Sequence, residues 1–369
     1  MFLSVLRSSL AVLVGLGACL HAVAGDVASR ATWFRGWTEL EAWKRTVEPA
    51  TRTRVWTSPV VRSPGEWTEL VMSWNATPPP GAGLQFEARA FHAEQATKYY
   101  TLGHWSADAA QPRESVRNQR DDAGDVETDT LVLREPAGRF QLRVTELGGE
   151  QGSAVPVRFL GVSVLEPRVS VPVGKPDQRA WGKALVVPER AQGNYPGGAQ
   201  EWCSPTSVSM VLAYWARQLG RPELDHDVPD VVKGVFDRNW PGTGNWPFNT
   251  AFAGSLPGMR AYVTRFTDVA ELEAWVERGV PVVVSVCYDL LRGRPRTRNS
   301  GHLVVCAGFT AEGDVVMNDP GTRDQVRKVF LRENLVRAWA HSKNTVYLIY
   351  PADLTPPRDR HEHWFGRKK

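Results

Sequence analysis

The sequence predicts two domains, an N-terminal antiparallel β-sandwich followed by a C-terminal α+β domain, and three observations carry that expectation. A chain of 369 residues exceeds the usual size of one domain. Residues 30–168 read as short alternating strands between turn signals, without helical periodicity. Beyond a proline-containing stretch the character changes, and helices precede a series of apolar strands.

Composition fits a folded chain, with 42% hydrophobic and 23% charged residues, values that argue against disorder. The net charge of +4 is mild, and the arginines are interspersed with acids. No basic stripe for nucleic acid is expected.

The N-terminus reads as a signal peptide over residues 1–24. Arg7 gives a positive start, Leu10 to Leu20 an apolar run, and Ala22-Val23-Ala24 a small-residue cleavage site. Leu16-Gly17-Ala18-Cys19 also resembles a bacterial lipobox, which would put a lipid anchor on Cys19. Ordinary cleavage is favoured, because the apolar run continues past Cys19 and the A-x-A site follows it. Either route exports the chain, as a secreted, periplasmic or cell-envelope protein. The apolar run is short for a membrane span and no later stretch approaches one, so the mature chain is expected to lack a transmembrane segment.

In the first domain, Leu84 to Ala90 and Phe140 to Val144 alternate apolar and polar residues, the period of a half-buried strand. Trp67 to Trp74, Asp129 to Leu133 and Val155 to Leu165 are further candidate strands. Pro78-Pro79-Pro80-Gly81, Asp121-Asp122-Ala123-Gly124 and Gly148-Gly149 punctuate them. Such a pattern suits a sandwich. Trp74, Tyr99, Tyr100 and Trp105 could form a platform for a glycan or cell-wall ligand, although core packing is the heavier expectation for each.

Residues 169–185 are the expected linker. The second domain is expected over 186–351, opening with a helix from Ser207 to Leu219 on which Val208, Leu212 and Trp215 share a face. Asp268-Val269-Ala270-Glu271 resembles a capping box, and Gly279 with Pro281 closes the helix it opens. Strands are expected at Val282–Cys287, Leu303–Phe309, Val315–Asn318 and Thr345–Tyr350. Gly242 to Asn249 either borders a cleft or packs as a surface loop. The tail, 352–369, is charged and expected to be solvated. Its His361-Glu362-His363 is weighed as a metal site and judged the weaker reading.

The cysteines narrow the chemistry. Export permits disulfides, yet removing Cys19 leaves three, Cys203, Cys287 and Cys306, so at least one thiol is free or paired with another chain. Cys287 and Cys306 lie in apolar runs that read as buried strands. Whether or not those two form a bridge, Cys203 is left over.

Cys203 stands in Trp202-Cys203-Ser204-Pro205-Thr206-Ser207, just before the helix, where unpaired N–H groups and the helix dipole favour a thiolate. His302 follows Asn299-Ser300-Gly301, so a polar turn delivers it to the mouth of a buried strand. The turn at Glu312-Gly313-Asp314 suggests a hairpin that returns Asp319 towards His302. A carboxylate beside an imidazole fixes its tautomer and stabilises the imidazolium. Each residue alone has an ordinary structural explanation. Together they follow the order nucleophile, base, orienter of papain-like enzymes. An oxyanion donor is still needed, and Gln192 and Gln200 both lie upstream of Cys203.

At these residues the chain resembles the C39-like cysteine peptidases. The resemblance rests on Trp202 to Leu212, on Gly301-His302-Leu303-Val304-Val305 and on Val316-Met317-Asn318-Asp319-Pro320, and covers roughly residues 186 to 351. It implies a papain-like fold in which Cys203 is the nucleophile, His302 the general base and Asp319 its partner. Gln192 matches the family's upstream oxyanion glutamine better than Gln200 does. The implied activity is an exported thiol hydrolase acting on peptide or amide bonds of a peptide or protein substrate, with no metal or organic cofactor. An inert binding protein and a cell-wall peptide amidase or transpeptidase are the rival readings. One departure stands out: the family usually has Cys-Gly where this chain has Cys203-Ser204.

Overall fold

The computed structural model describes residues 29–51, 53–106, 113–148, 157–198, 201–297 and 300–366. The expected signal peptide, with Cys19, and Gln200 lie outside these. Two antiparallel sheets dominate the fold.

The first sheet opens with β1 (Ser29–Trp37), β2 (Lys44–Val47) and β3 (Arg54–Thr57). It continues with β4 (Val61–Ala76), β5 (Ala82–His92), β6 (Gln95–Ala96) and β7 (Tyr100–Trp105). The last three are β8 (Gly124–Glu127), β9 (Thr130–Gly148) and β10 (Val157–Val171). The expected strands at Asp129–Leu133 and Phe140–Val144 are the two ends of β9. Between them the chain runs on through an irregular register. Its first end pairs with β8 and β4, and its second with β5 and β3. A sandwich of two separate sheets was the expectation. Here β4 and β9 are long enough to change neighbours along their length, so all ten strands join one hydrogen-bonded network.

The second half begins with helices α1 (Cys203–Leu219), α2 (Val228–Val235) and α3 (Trp246–Ser255). Next come β11 (Met259–Arg265), α4 (Val269–Glu277), β12 (Val282–Cys287) and the single turn α5 (Tyr288–Leu291). It finishes with β13 (Gly301–Phe309), β14 (Val315–Asn318), β15 (Arg327–Phe330), α6 (Arg332–Ala340) and β16 (Thr345–Pro351). The sheet order is β11-β16-β12-β13-β14-β15. As expected from its composition, α4 has Asp268 as N-cap, accepting from Ala270 N at 2.9 Å. Glu271 accepts from Thr267 N at 2.6 Å, and Gly279 ends the helix with φ of 84°.

The two halves share one continuous apolar core. Polar side chains of β4 satisfy the exposed edge of β11, which would otherwise leave its backbone groups unpaired. Asn75 bonds both the N–H and the carbonyl of Ala261, at 3.1 and 2.6 Å, and Ser73 accepts from Val263 N at 2.9 Å. Trp74 stacks on Phe86 at 4.1 Å and meets Phe248 of α3 edge-on at 6.1 Å. A buried ion pair, Glu69 with Arg265 at 3.1 Å, crosses the same seam.

Core packing, the heavier expectation for the aromatic residues of β4 and β7, holds for Trp74, Tyr100 and Trp105, each at most 2% exposed. Tyr99 lies beneath Arg143 and Arg89, 4.0 and 4.7 Å from its ring centroid. The expected linker, 169–185, ends β10 and then lies against β13, with Trp181 bridging Phe309 and Ala184 bridging Gly308. A side chain at Gly308 would strike Lys183 O at 2.2 Å. The tail is docked rather than solvated. Trp364 and His363 are 5% and 3% exposed, and Phe34 N donates to Glu362 O at 2.7 Å. His363 bonds Glu271 at 2.7 Å. Charge composition hid the two aromatic anchors, Trp364 and Phe365.

Candidate active site

Cys203 is the first residue of α1, preceded by Trp202 at the cap. The helix is buried on every side from Ser204 to Ala216, so it is a central core helix rather than an amphipathic surface one. Serines let it approach the sheet closely. Ser204 Oγ lies 3.0 Å from Tyr347 OH of β16, and Ser207 Oγ donates to Leu303 O at 3.2 Å. Those contacts place the helix start, with its unpaired N–H groups, over the beginning of β13. Cys203 itself stays partly exposed.

His302 is the second residue of β13 and is 6% exposed. The β13–β14 hairpin exists, with Asn318 opposite Val305, and it brings Asp319 within reach of the imidazole. His302 Nε2 lies 2.8 Å from Asp319 Oδ1, which turns the other ring nitrogen towards the thiol. Burial alone would lower the His302 pKa, but bonds to Asp319 and to the Cys203 thiol push it up to about 9. Burial raises the thiol and is outweighed by His302 and by backbone N–H groups, so the Cys203 pKa falls below its ordinary value. Burial likewise opposes, without overcoming, the bonds from His302, Tyr288 and Gly321 N that hold the Asp319 carboxyl low. Both shifts favour the thiolate–imidazolium pair over the neutral thiol and imidazole.

Gln192 is 5% exposed and opens a single helical turn. Its N–H donates to Pro320 O at 2.9 Å, next to Asp319. Gly198 closes this turn onto the nucleophile segment: a Cβ there would meet Gln192 O at 2.3 Å and the Trp202 ring at 2.9 Å. Gln192 is thus tied by its backbone to the residue after Asp319. Gln200, the other candidate, lies outside the described residues.

Sequence reasoning passed over three neighbours of Asp319. Tyr288 OH donates to Asp319 Oδ2 at 2.6 Å, Gly321 N donates to Oδ1 at 2.9 Å, and Lys328 Nζ stands 3.7 Å from Oδ2. Gly321 was visible only as a turn residue. Tyr288 and Lys328 come from α5 and β15, two elements the sequence did not signal.

Cys287 and Cys306 are both buried and free. The register pairs Cys287 with Gly301 and Cys306 with Val282, opposite ends of the β12–β13 ladder, so no bridge joins them. Burial pushes the Cys306 thiol up to about 12. The Cys203 thiol, by contrast with Cys306, is shifted down.

A cavity of about 450 Å³ lies where the two halves meet, lined by Asp129, Trp240, Trp246, Ser285, Gly301 and Lys343 among others. Gly301 adjoins His302, and Thr243 donates to Glu201 O at 2.8 Å, two residues before Cys203. Asp129 accepts from Trp246 N at 2.8 Å. The 242–249 segment therefore both borders this cleft and packs.

Residues 184–347 match the Peptidase C39 like family, and residues 35–164 match the Peptidase C39 N-terminal domain. The chain carries a C39-like peptidase domain behind a C39 N-terminal domain. No curated protein matches it. Among solved structures it is similar to one described as a C39-like peptidase from Bacillus anthracis, with 19% identity and a TM-score of 0.36. That similarity covers 46% of this chain and 97% of the other. In the C39-like domain described here, Cys203, His302 and Asp319 all lie within the matched residues, as does Gln192. No group of three or more potential metal ligands occurs among the described residues.

Proposed function

We propose that this protein is an exported cysteine peptidase that hydrolyses peptide or amide bonds. Cys203 is the nucleophile, His302 the general base, Asp319 the orienting acceptor and Gln192 the side-chain oxyanion donor. One observation carries the reading: His302 is bonded to Asp319 at 2.8 Å, and it and the Cys203 thiol lie close enough to shift each other's pKa, His302 upward and Cys203 downward. A papain-like division of labour follows, with the nucleophile on the buried helix and the base and orienter on the sheet. Residues 1–24 direct export.

In the cycle, the Cys203 thiolate attacks the carbonyl carbon and the C–N bond breaks as the His302 imidazolium protonates the departing amine. Negative charge on the carbonyl oxygen is held by the Cys203 N–H and the Gln192 amide. Water then attacks the thioester, with His302 taking its proton, and releases the acid and the thiol.

Thiol labelling of the purified protein tests the proposal without a known substrate. Iodoacetamide should modify Cys203 rapidly at pH 7, and Cys203→Ala should abolish both that reaction and the cleavage of a peptide library. Full cleavage by Cys203→Ala would refute it.

A further inference from the structure

We infer that Tyr288 is a positioning residue of this site, its hydroxyl holding Asp319 and moderating how strongly that carboxylate binds the His302 imidazole. The inference rests on the proposed function and deepens it. Three contacts place the residue. Its hydroxyl donates to Asp319 Oδ2 at 2.6 Å, the oxygen that His302 does not use. Its ring lies against the His302 ring, with centroids 4.1 Å apart and a tilt of 33°. The Arg292 guanidinium sits 3.9 Å from the phenol centroid and is itself held by Asp289 at 3.0 Å.

One side chain therefore touches both members of the His302–Asp319 pair. It meets the carboxylate through a charge-assisted hydrogen bond and the imidazole through its ring face. Position follows from the chain: Tyr288 is the residue after β12, whose last pair is Cys287 with Gly301. Tyr288 N donates to Ser300 O at 2.6 Å, two residues before His302. The backbone thus fixes the phenol relative to the imidazole without relying on the ring contact.

The electrostatic consequence has a definite sign. A carboxylate shared between two donors presents less charge to each. With the phenol in place, Asp319 stabilises the imidazolium less than it would alone. Removing the hydroxyl concentrates the charge on His302, which then holds its proton to higher pH and becomes a weaker acid towards the leaving amine. The charged and titratable groups facing this pair are Cys203 from α1, Arg292 of the turn after α5, Arg294 beyond it and Lys328 from β15. None of them changes when Tyr288 becomes Phe.

The test follows Cys203 alkylation by iodoacetamide from pH 4 to 10 in the full chain. The upper step of that profile marks loss of the His302 proton. In Tyr288→Phe, which keeps the ring, this step should move up by about half a pH unit, a threefold change in proton affinity. On any peptide the protein cleaves, kcat should fall about threefold to tenfold with KM within twofold. Tyr288→Leu, which loses the ring too, should lower kcat further. An upper step that is unmoved or moves down in Tyr288→Phe overturns the inference. Absence of fast Cys203 labelling in the wild type would instead sink the proposed function, so the two failures are distinguishable.

Discussion

Ser204 and Tyr347 form a buried hydroxyl pair, their oxygens 3.0 Å apart, directly after the candidate nucleophile. Where the related peptidases usually carry glycine, this chain pins the first turn of α1 to strand β16. Both residues are fully buried, so neither hydroxyl has water as an alternative partner. Removing one leaves the other unsatisfied, which costs about 1 to 3 kcal/mol.

Ser204→Ala and Tyr347→Phe should therefore each destabilise the fold by about 1 to 2 kcal/mol, while the double variant loses less than the sum. Urea unfolding of the four proteins gives the coupling directly. Labelling of Cys203 should persist in Ser204→Ala, because the lost bond anchors the helix without touching the thiol. Strict additivity would mean that the pair makes no energetic contact.

Gly321 is the second point where the site depends on a small residue. A Cβ there would lie 3.0 Å from His302 Cε1 and 3.1 Å from both His302 Nε2 and Asp319 Oδ1. Those distances are tight enough to push the ring from the carboxylate by a few tenths of an ångström. Gly321→Ala should cost about tenfold or more in kcat and slow Cys203 labelling, with little effect on the melting temperature. Wild-type kinetics in that variant would show that the pair tolerates the displacement.

The site was legible in the sequence where local signals coincided with chemistry. Cys203 announced itself by a proline and a following apolar helix, His302 by a glycine before an apolar run, and Asp319 by a hairpin turn. Tyr288 was not legible, because it belongs to a four-residue helix created by tertiary packing after β12. The seam was equally hidden: Ser73 and Asn75 look like the polar face of a solvated strand, yet their partner is the edge of β11, some 190 residues away in sequence. Long-range pairing of this kind leaves no local period. Likewise, β11 and β15 lack the apolar runs that betrayed β12 and β13, since Arg260, Arg265, Arg327 and Lys328 interrupt them.

Asp319→Asn gives a prediction opposite in sign to that for Tyr288. His302 owes its raised pKa, about 9, first among the favourable causes to Asp319, against the opposing effect of burial. Sharing a proton with a neutral amide is weaker, so the upper step of the labelling profile should move down in Asp319→Asn. His302 is a base whose folded pKa lies above its ordinary 6.5. Its contribution to stability is thus fully present below that value and is lost as pH rises through about 9. Asp319, held low, contributes above its ordinary range and loses that share as pH falls. Thermal melts of the wild type and Asp319→Asn should accordingly differ most between the ordinary aspartate value of 3.8 and the ordinary histidine value of 6.5, shrink as pH rises through about 9, and converge towards pH 10. A difference that grows above pH 9 would contradict the pairing.

The docked tail supplies the last test, and it separates stability from chemistry. Trp364 is 5% exposed and meets Trp275 and Phe266 at 5.5 Å each, while its indole N–H donates to Pro357 O at 3.0 Å. Phe365 packs edge-on against Phe159 of β10 at 5.2 Å, and Thr264 Oγ1 donates to His363 O at 2.5 Å. The segment therefore grips both sheets at once, across the seam that also forms the cleft. Trp364→Ala removes a large buried ring and should cost about 3 kcal/mol. None of its contacts involves Cys203, His302 or Asp319, so the fraction of molecules still folded should label at the wild-type rate. Denaturant unfolding together with alkylation kinetics at 20 °C would measure both quantities, and a large labelling defect in fully folded Trp364→Ala would show that the tail also shapes the site.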